Sequence, residues 1–180
     1  AENVAWPGLR EYQKLRICTL LDPMRDPLGA GFHTLQSITA VGSGGIFGKG
    51  WLQGTQTQLA FIPERSTDFV FSGYAEEFGF FGSLLLILLY AGITLRGLWI
   101  SIGAPTDFAR LLGGTLSMMT FTYACVNIGM VTGVLPVVGV PLPWISYGGT
   151  ALITLGIGVG LLMSIGKDRS VTTQGFSMQK

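Results

Sequence analysis

The sequence contains little charge, since only 12% of its 180 residues are Asp, Glu, Lys or Arg. A soluble domain usually carries about 25%. The 11 basic and 10 acidic residues nearly cancel, so no overall field would attract nucleic acid. One histidine and two cysteines, Cys18 and Cys125, are too few for a His/Cys metal cluster or a disulfide framework. We therefore expect no nucleic-acid partner and no zinc-type site.

Long runs without charge dominate the chain after residue 69. No Asp, Glu, Lys or Arg occurs between Phe78 and Leu95, or between Leu111 and Gly166. One span needs only about 20 residues, and prolines between 136 and 143 break the second run. The pattern predicts an all-α, polytopic membrane protein fragment with spans at about 69–95, 111–134 and 146–165.

The charges divide the chain into three regions. We predict an extracytoplasmic loop region at 1–68, a three-helix transmembrane region at 69–169 and a cytoplasmic tail at 170–180. The loop region is large, and apolar residues at helical spacing in segment 31–41 indicate that it contains short interfacial helices.

Basic residues near the spans predict the orientation. Arg96 and Arg110 lie between the first two spans, and Lys167 and Arg169 follow the third. The prolyl loop between the last two spans carries no charge. By the positive-inside rule, the arginine loop and the C-terminus are cytoplasmic, and the prolyl loop faces outside.

A glycine-rich segment at 42–50 contains one lysine, Lys49. Backbone N–H groups of such a loop can cradle a phosphate. The spacing is not that of a Walker loop, because no Gly-Lys-Ser/Thr run opens a helix here. The alternative is a flexible turn whose glycines supply positive φ angles.

Acidic residues cluster where the chain enters the first span. Charge at the bilayer centre costs roughly 2.5–3.5 kcal/mol or more, so charges at this threshold indicate a functional site. A partly desolvated carboxylate at Asp68, tuned by a nearby cation, would suit a general base. The alternative is that Asp68 caps the helix that begins near Phe69. The charged residues concerned are Glu64, Arg65, Asp68, Glu76 and Glu77.

Several segments together resemble the C-terminal half of the SEDS family over nearly all of residues 9–169. They are 12–16, 21–23, 26–31, 36–37, 42–45, 61–69, 75–79 and 141–149. The family has ten transmembrane helices, so this chain would carry the large outer loop and the last three. Its members polymerise lipid II into peptidoglycan strands in the bacterial inner membrane, together with a class B penicillin-binding protein. The resemblance assigns the catalytic aspartate to Asp68, although Ser66 stands where many members have histidine.

The resemblance implies a site for a lipid-linked sugar donor and a sugar acceptor. Asp68 would take the proton from the acceptor hydroxyl, and a cation would balance the charge of the leaving pyrophosphate. Glu76 and Glu77 are predicted to hold a divalent cation such as Mg²⁺ or Mn²⁺, or to pair with basic groups on helices that lie outside this chain. The predicted substrate-binding residues are Lys49, Arg65, Glu64 and Ser146.

Two other functions remain open from the sequence. In a lipid II flippase, Glu76 and Glu77 would line a polar path and Asp68 would matter less. In a non-catalytic scaffold, the spans would activate a penicillin-binding partner. In every case we expect this chain alone to be inactive.

Overall fold

The computed structural model describes residues 30–51, 53–54 and 67–177. For Ala30, His33 and residues 168–177 it describes the backbone and not the side chains. Two predicted site residues, Glu64 and Arg65, lie outside the described residues.

Helices and their connections make up the described part of the chain, and no strand occurs in it, which confirms the all-α prediction. Three of the helices are long and apolar enough to cross a membrane, as predicted. In the third, the qualifying segment is Gly149–Lys167. The helices are α1 (Ala30–Ser43), α2 (Val70–Ile102), α3 (Asp107–Val131) and α4 (Gly149–Ser177).

Two helix ends near the arginine loop differ from the sequence prediction. Helix α2 continues past Arg96 to Ile102, because one arginine does not break a helix and can extend its head group toward water. Helix α3 begins at Asp107 rather than 111. Its start is fixed by Thr106, whose Oγ1 accepts a hydrogen bond from Ala109 N at 3.2 Å.

The other end of α3 stops three residues earlier than predicted, at Val131 rather than 134. Gly133 adopts a φ of 75° and donates to Met130 O, while Val134 N donates to Gly129 O. This pair of bonds is the Schellman arrangement, which satisfies the last carbonyl groups of a helix. The glycine therefore ends α3 before the prolines are reached. Helix α4 starts at Gly149 rather than 146, after a turn in which Trp144 has a φ of 67°. In the structure the prolyl loop therefore comprises residues 132–148.

Helices α2 and α3 are antiparallel neighbours, and α4 contacts both. We call the two ends of this bundle the Asp68 end and the Arg110 end. Small residues let α2 and α3 pack closely near the Arg110 end, since a Cβ on Gly97 would lie 2.3 Å from Ser117 Oγ. The apolar core lies toward the Asp68 end and includes Phe69, Leu86, Tyr90, Met130 and Leu142.

Helix α1 covers the segment, 31–41, for which the sequence predicted a short helix. It packs on α2 and α3, and Ser37 Oγ donates to Val131 O at 2.8 Å. Because Val131 is the last residue of α3, this bond uses a carbonyl that the helix itself cannot satisfy. Helix α1 therefore delivers the glycine-rich loop that follows it to the Asp68 end of the bundle.

Candidate functional site

Asp68 lies immediately before α2, where the chain enters the first span. Phe69 occupies the N-cap position, and no side chain makes a capping hydrogen bond there. The Asp68 side chain is partly buried. Its position one residue before the cap gives no support to the alternative in which Asp68 serves only as the helix cap.

The backbone around Asp68 is tied to α3 and to the prolyl loop. Asn127 Nδ2 donates to Asp68 O at 2.8 Å and to Val140 O at 2.7 Å. Ser146 Oγ donates to Thr67 O. Consecutive residues are therefore held by side chains from two elements that are distant in sequence.

The Asp68 carboxylate packs against the prolyl loop at Gly139. A Cβ added to this glycine would lie 3.2 Å from Asp68 Oδ2, and the glycine has a φ of 77°. A larger residue would be strained and would crowd the carboxylate. The sequence analysis placed Asp68 and the prolyl loop on the same side of the membrane, and the fold brings them into contact.

Ser146, a predicted substrate-binding residue, lies next to this contact but is almost fully buried. Its hydroxyl donates to Thr67 O and accepts from Leu142 N at 2.8 Å. A hydroxyl has a single proton to donate, and here that proton holds the backbone. The hydroxyl of Ser146 therefore stabilises the backbone. No observed distance supports its predicted contact with substrate.

The glycine-rich loop fills a break in α2. Gly79 has φ 65° and ψ −158° inside this helix, so the carbonyl and N–H groups on either side lose their helical partners. The loop supplies replacements. Lys49 N and Gly50 N donate to the carbonyl oxygens of Glu76 and Glu77, both at 3.1 Å.

The opposite side of the break is satisfied in the same way. Phe80 N donates to Gly45 O at 2.9 Å, and Phe81 N donates to Ile46 O at 3.3 Å. These bonds need backbones in direct contact, since a Cβ on Gly48 would lie 2.0 Å from Glu77 O and one on Gly79 would lie 2.3 Å from Gly48 N.

This docking decides between the two readings of the loop. The N–H groups of Gly48, Lys49 and Gly50 all donate to carbonyl oxygens of the chain, so they do not form a phosphate cradle. Gly45, Gly48 and Gly50 have positive φ angles, as the turn alternative predicted. The loop is nevertheless not a free turn, because it completes the hydrogen bonding of α2.

An ion pair reinforces the docked loop. Lys49 Nζ lies 2.7 Å from Glu76 Oε1, and Glu76 is fully buried while Lys49 is 29% exposed. The sequence analysis placed a possible partner of Glu76 outside this chain, but the structure shows the partner within it. Among the described residues, no group of three or more His, Cys, Asp or Glu side chains could hold a metal ion. With Glu76 paired to Lys49, the described residues do not complete the predicted cation site at Glu76 and Glu77.

A cavity of about 220 Å³ lies between α3, the prolyl loop and the start of α4. Its lining includes Tyr123, Pro141, Thr150 and Thr154. None of the predicted site residues is among its lining residues, so we assign it no role in the site.

The sequence analysis missed three residues that build this region. Asn127 holds Asp68, Gly79 breaks α2, and Tyr90 donates its hydroxyl proton to Pro143 O. A signal for Asn127 was present, because it is the only asparagine after Asn3 and lies within a span. Polar groups inside a span mark functional sites, but the sequence analysis weighed only ionisable groups.

The fold and these contacts define a multi-pass membrane protein with a carboxylate held at one end of its helical bundle. The family model described as cell cycle protein (FtsW, RodA, SpoVE) matches residues 3–171. The chain belongs to this family, the SEDS family that the motifs predicted.

Several proteins are similar to the chain. Peptidoglycan glycosyltransferase MrdB of Escherichia coli is 55% identical over 92% of this chain and 45% of its own length. RodA of Treponema pallidum is 44% identical over 87% of this chain and 36% of its own length. Stage V sporulation protein E of Bacillus subtilis is 40% identical over 87% of this chain and 42% of its own length. The chain spans less than half the length of these relatives.

Two solved structures share the fold. One, from work on coordination of polymerization and crosslinking by a peptidoglycan synthase complex, has a TM-score of 0.73 at 34% identity, covering 92% of this chain and 45% of its own. The other is a mutant of the rod shape determining protein RodA of Thermus thermophilus. It has a TM-score of 0.57 at 27% identity, covering 91% of this chain and 59% of its own.

Proposed function

We propose that the protein containing this chain is a peptidoglycan glycosyltransferase that polymerises lipid II during cell elongation, with Asp68 as the general base. One observation carries the proposal. The Asp68 carboxylate is held at the end of a membrane bundle against a prolyl loop, on a backbone that side chains from two other elements fix. Relatives named peptidoglycan glycosyltransferase support the reaction class.

The proposed reaction joins two lipid-linked sugars. The Asp68 carboxylate accepts the proton of the acceptor 4-hydroxyl as that oxygen bonds to the anomeric carbon of the donor. The bond from that carbon to the pyrophosphate oxygen breaks, and polyprenyl pyrophosphate leaves with the electron pair. The proton on Asp68 then passes to solvent. In this reaction the site contributes to catalysis by holding a base within reach of the acceptor hydroxyl.

Charge compensation for the leaving pyrophosphate is less well supported by the described residues. Lys49 is already paired with Glu76, and Arg65 and Glu64 lie outside the described residues. Because the described residues do not complete a cation site at Glu76 and Glu77, we derive no step through Mg²⁺ or Mn²⁺. A requirement for either cation stays a prediction, which chelation during a polymerisation assay tests.

The flippase alternative loses the observation that suggested it. A polar path through the membrane was expected to use Glu76 and Glu77, but Glu76 is fully buried and paired with Lys49. The pair reinforces the loop whose backbone fills the break in α2, which is a structural use. Nothing in the described residues favours the scaffold alternative over catalysis.

The test compares two aspartates in the full-length protein. Asp68→Asn keeps the size of the side chain but removes the base, so the rate of lipid II polymerisation should fall by roughly two to four orders of magnitude. Asp107→Asn is the matched control, because Asp107 is 92% exposed at the Arg110 end. It should leave the rate within about twofold, since exposed ion pairs contribute little.

The outcomes separate the enzyme from the scaffold. Loss of polymerisation only in Asp68→Asn, with unchanged membrane insertion and partner binding, supports the enzyme. Near wild-type polymerisation by Asp68→Asn removes the catalytic assignment. A loss of partner binding in the same variant would favour the scaffold.

We further propose that the protein resides in the bacterial inner membrane, with its C-terminus cytoplasmic, and works with a class B penicillin-binding protein. The similar structure from a peptidoglycan synthase complex supports such a partner. The positive-inside pattern of the arginine loop supports the orientation.

Cysteine labelling tests that orientation. Tyr147 in the prolyl loop is 84% exposed, whereas the neighbouring Ser146 is 4% exposed. With the native cysteines replaced, Tyr147→Cys should react with an impermeant thiol reagent added from the periplasm. Ser146→Cys, the matched control, should react far more slowly. Labelling of Tyr147→Cys only from the cytoplasm would reverse the proposed topology.

A further inference from the structure

Asn127 is a fully buried amide near the C-terminal end of the apolar helix α3. Its Nδ2 donates to two carbonyl oxygens, Asp68 O and Val140 O. The assignment of the amide is unambiguous, because the reversed orientation would place Oδ1 against two acceptors. Both amide protons therefore join segments that are far apart in sequence.

Burying the Asn127 side chain also costs free energy. Its Oδ1 is buried and has no hydrogen-bond partner among the residues that the structure describes. A buried polar atom without a partner is rare and needs an explanation. Apolar packing alone would favour a leucine or methionine at this position. The use of an amide here is explained by what its two N–H groups hold.

The two bonds fix the distance between the Asp68 backbone and the prolyl loop. Val140 directly follows Gly139, the residue against which the Asp68 carboxylate packs. A shift of the Val140 carbonyl would therefore move Gly139 relative to Asp68 Oδ2. Ser146 holds the neighbouring residue Thr67, whereas Asn127 is the side chain that bonds to the backbone of Asp68 itself.

We propose that Asn127 is a positioning residue that sets the geometry of the Asp68 carboxylate through these two hydrogen bonds. The proposal rests on the proposed function of Asp68. Asn127 touches no reacting group, so its removal leaves substrate binding largely intact and lowers the turnover rate. A misplacement of about 1 Å at a reacting group can reduce a rate by about 100-fold.

The kinetic test uses the full-length protein with Asn127→Leu, which has a similar volume but no donor. Thr120→Val is the matched control, since Thr120 is buried two turns earlier on α3 and, within the described part of the chain, bonds only to Leu116 O of its own helix. We expect kcat to fall roughly 10- to 100-fold in Asn127→Leu, with the KM for lipid II within about threefold of wild type. Thr120→Val should change neither value by more than about twofold.

A double variant distinguishes positioning from general damage. If Asn127 acts only through Asp68, then Asn127→Leu should not slow Asp68→Asn further, because the two residues act as one unit. A further slowing equal to that seen in the wild-type background would overturn the proposal. Equal losses in Asn127→Leu and Thr120→Val would overturn it as well.

Disulfide formation tests the positioning role without measuring activity. With the native cysteines replaced, Asp68→Cys and Val140→Cys form a pair whose oxidation to a disulfide reports their approach in the membrane. Oxidation should be several-fold slower when Asn127→Leu is added, and an unchanged rate would refute the positioning role.

Should Asn127→Leu fail to accumulate, Asn127→Ser keeps one donor and allows the same comparison. If Asp68→Asn itself stays active, the proposed function fails while the disulfide pair still tests the geometry.

Discussion

The two ends of the bundle are built differently. At the Arg110 end, α2 and α3 meet through small residues, Thr106 caps α3, and the ion pair between Asp107 and Arg110 is exposed. At the Asp68 end, α2 is broken at Gly79, Trp144 has a positive φ, and a buried ion pair joins Lys49 to Glu76. The first end follows ordinary rules of helix packing and capping. The second departs from them repeatedly.

The departures at the Asp68 end serve a common purpose. The break at Gly79 and the pair between Lys49 and Glu76 both belong to the docking of a loop on α2. The glycine-rich loop docks at the break, and the prolyl loop docks at Asp68. Strained backbone and buried polar groups are retained where a site must be held in a fixed geometry. The difference between the ends therefore points to the Asp68 end as the functional one.

Glycine replacement within one helix tests this difference most strongly. Gly79→Ala requires a φ near 65° and places a Cβ 2.3 Å from Gly48 N, whereas a Cβ on Gly92 would meet nothing within 4 Å. Backbone strain and the clash together should lower the free energy of unfolding by at least about 3 kcal/mol. Gly92→Ala should change it by less than about 1 kcal/mol. Denaturation in detergent or lipid measures both, and equal effects would mean that the break is not fixed by the loop.

The two ion pairs give a smaller contrast between the ends. Lys49→Met leaves the Glu76 carboxylate buried without its partner. We expect this change to lower the free energy of unfolding by about 2–3 kcal/mol, less than for a fully buried pair because Lys49 is 29% exposed. Arg110→Met removes the exposed pair and should cost less than about 0.5 kcal/mol. Adding Glu76→Leu to Lys49→Met should restore most of the loss, and failure to do so would show that the pair is not the cause.

The sequence predicted the parts of the fold that depend on composition. Uncharged runs revealed the three spans, and helical spacing revealed α1. Arg96 was taken as a stop, although a single arginine side chain can reach water from within a helix. The start of α3 was predictable from Thr106, a preferred N-cap residue four residues before Arg110.

The contacts of the site depend on tertiary structure and were less accessible. A glycine within an apolar span has no local signal that marks a break, because glycine is common in membrane helices. The break at Gly79 becomes evident only when the loop from residue 44 to 50 lies against it. Asp68 was identified from its place at the membrane threshold and from the SEDS resemblance. Lys49 and Glu76 were both singled out, but their spacing in sequence gave no indication that they would bind each other.

Chemical rescue tests the central claim that the Asp68 carboxylate acts as a base. Asp68→Ala in the full-length protein removes the carboxylate and leaves space beside Gly139. Formate added to this variant should restore part of its lipid II polymerisation rate in a saturable manner. It should not accelerate the wild type or Asp68→Asn, whose side chain fills the space. Near wild-type polymerisation by Asp68→Ala without formate, and no response to added formate, would contradict the claim.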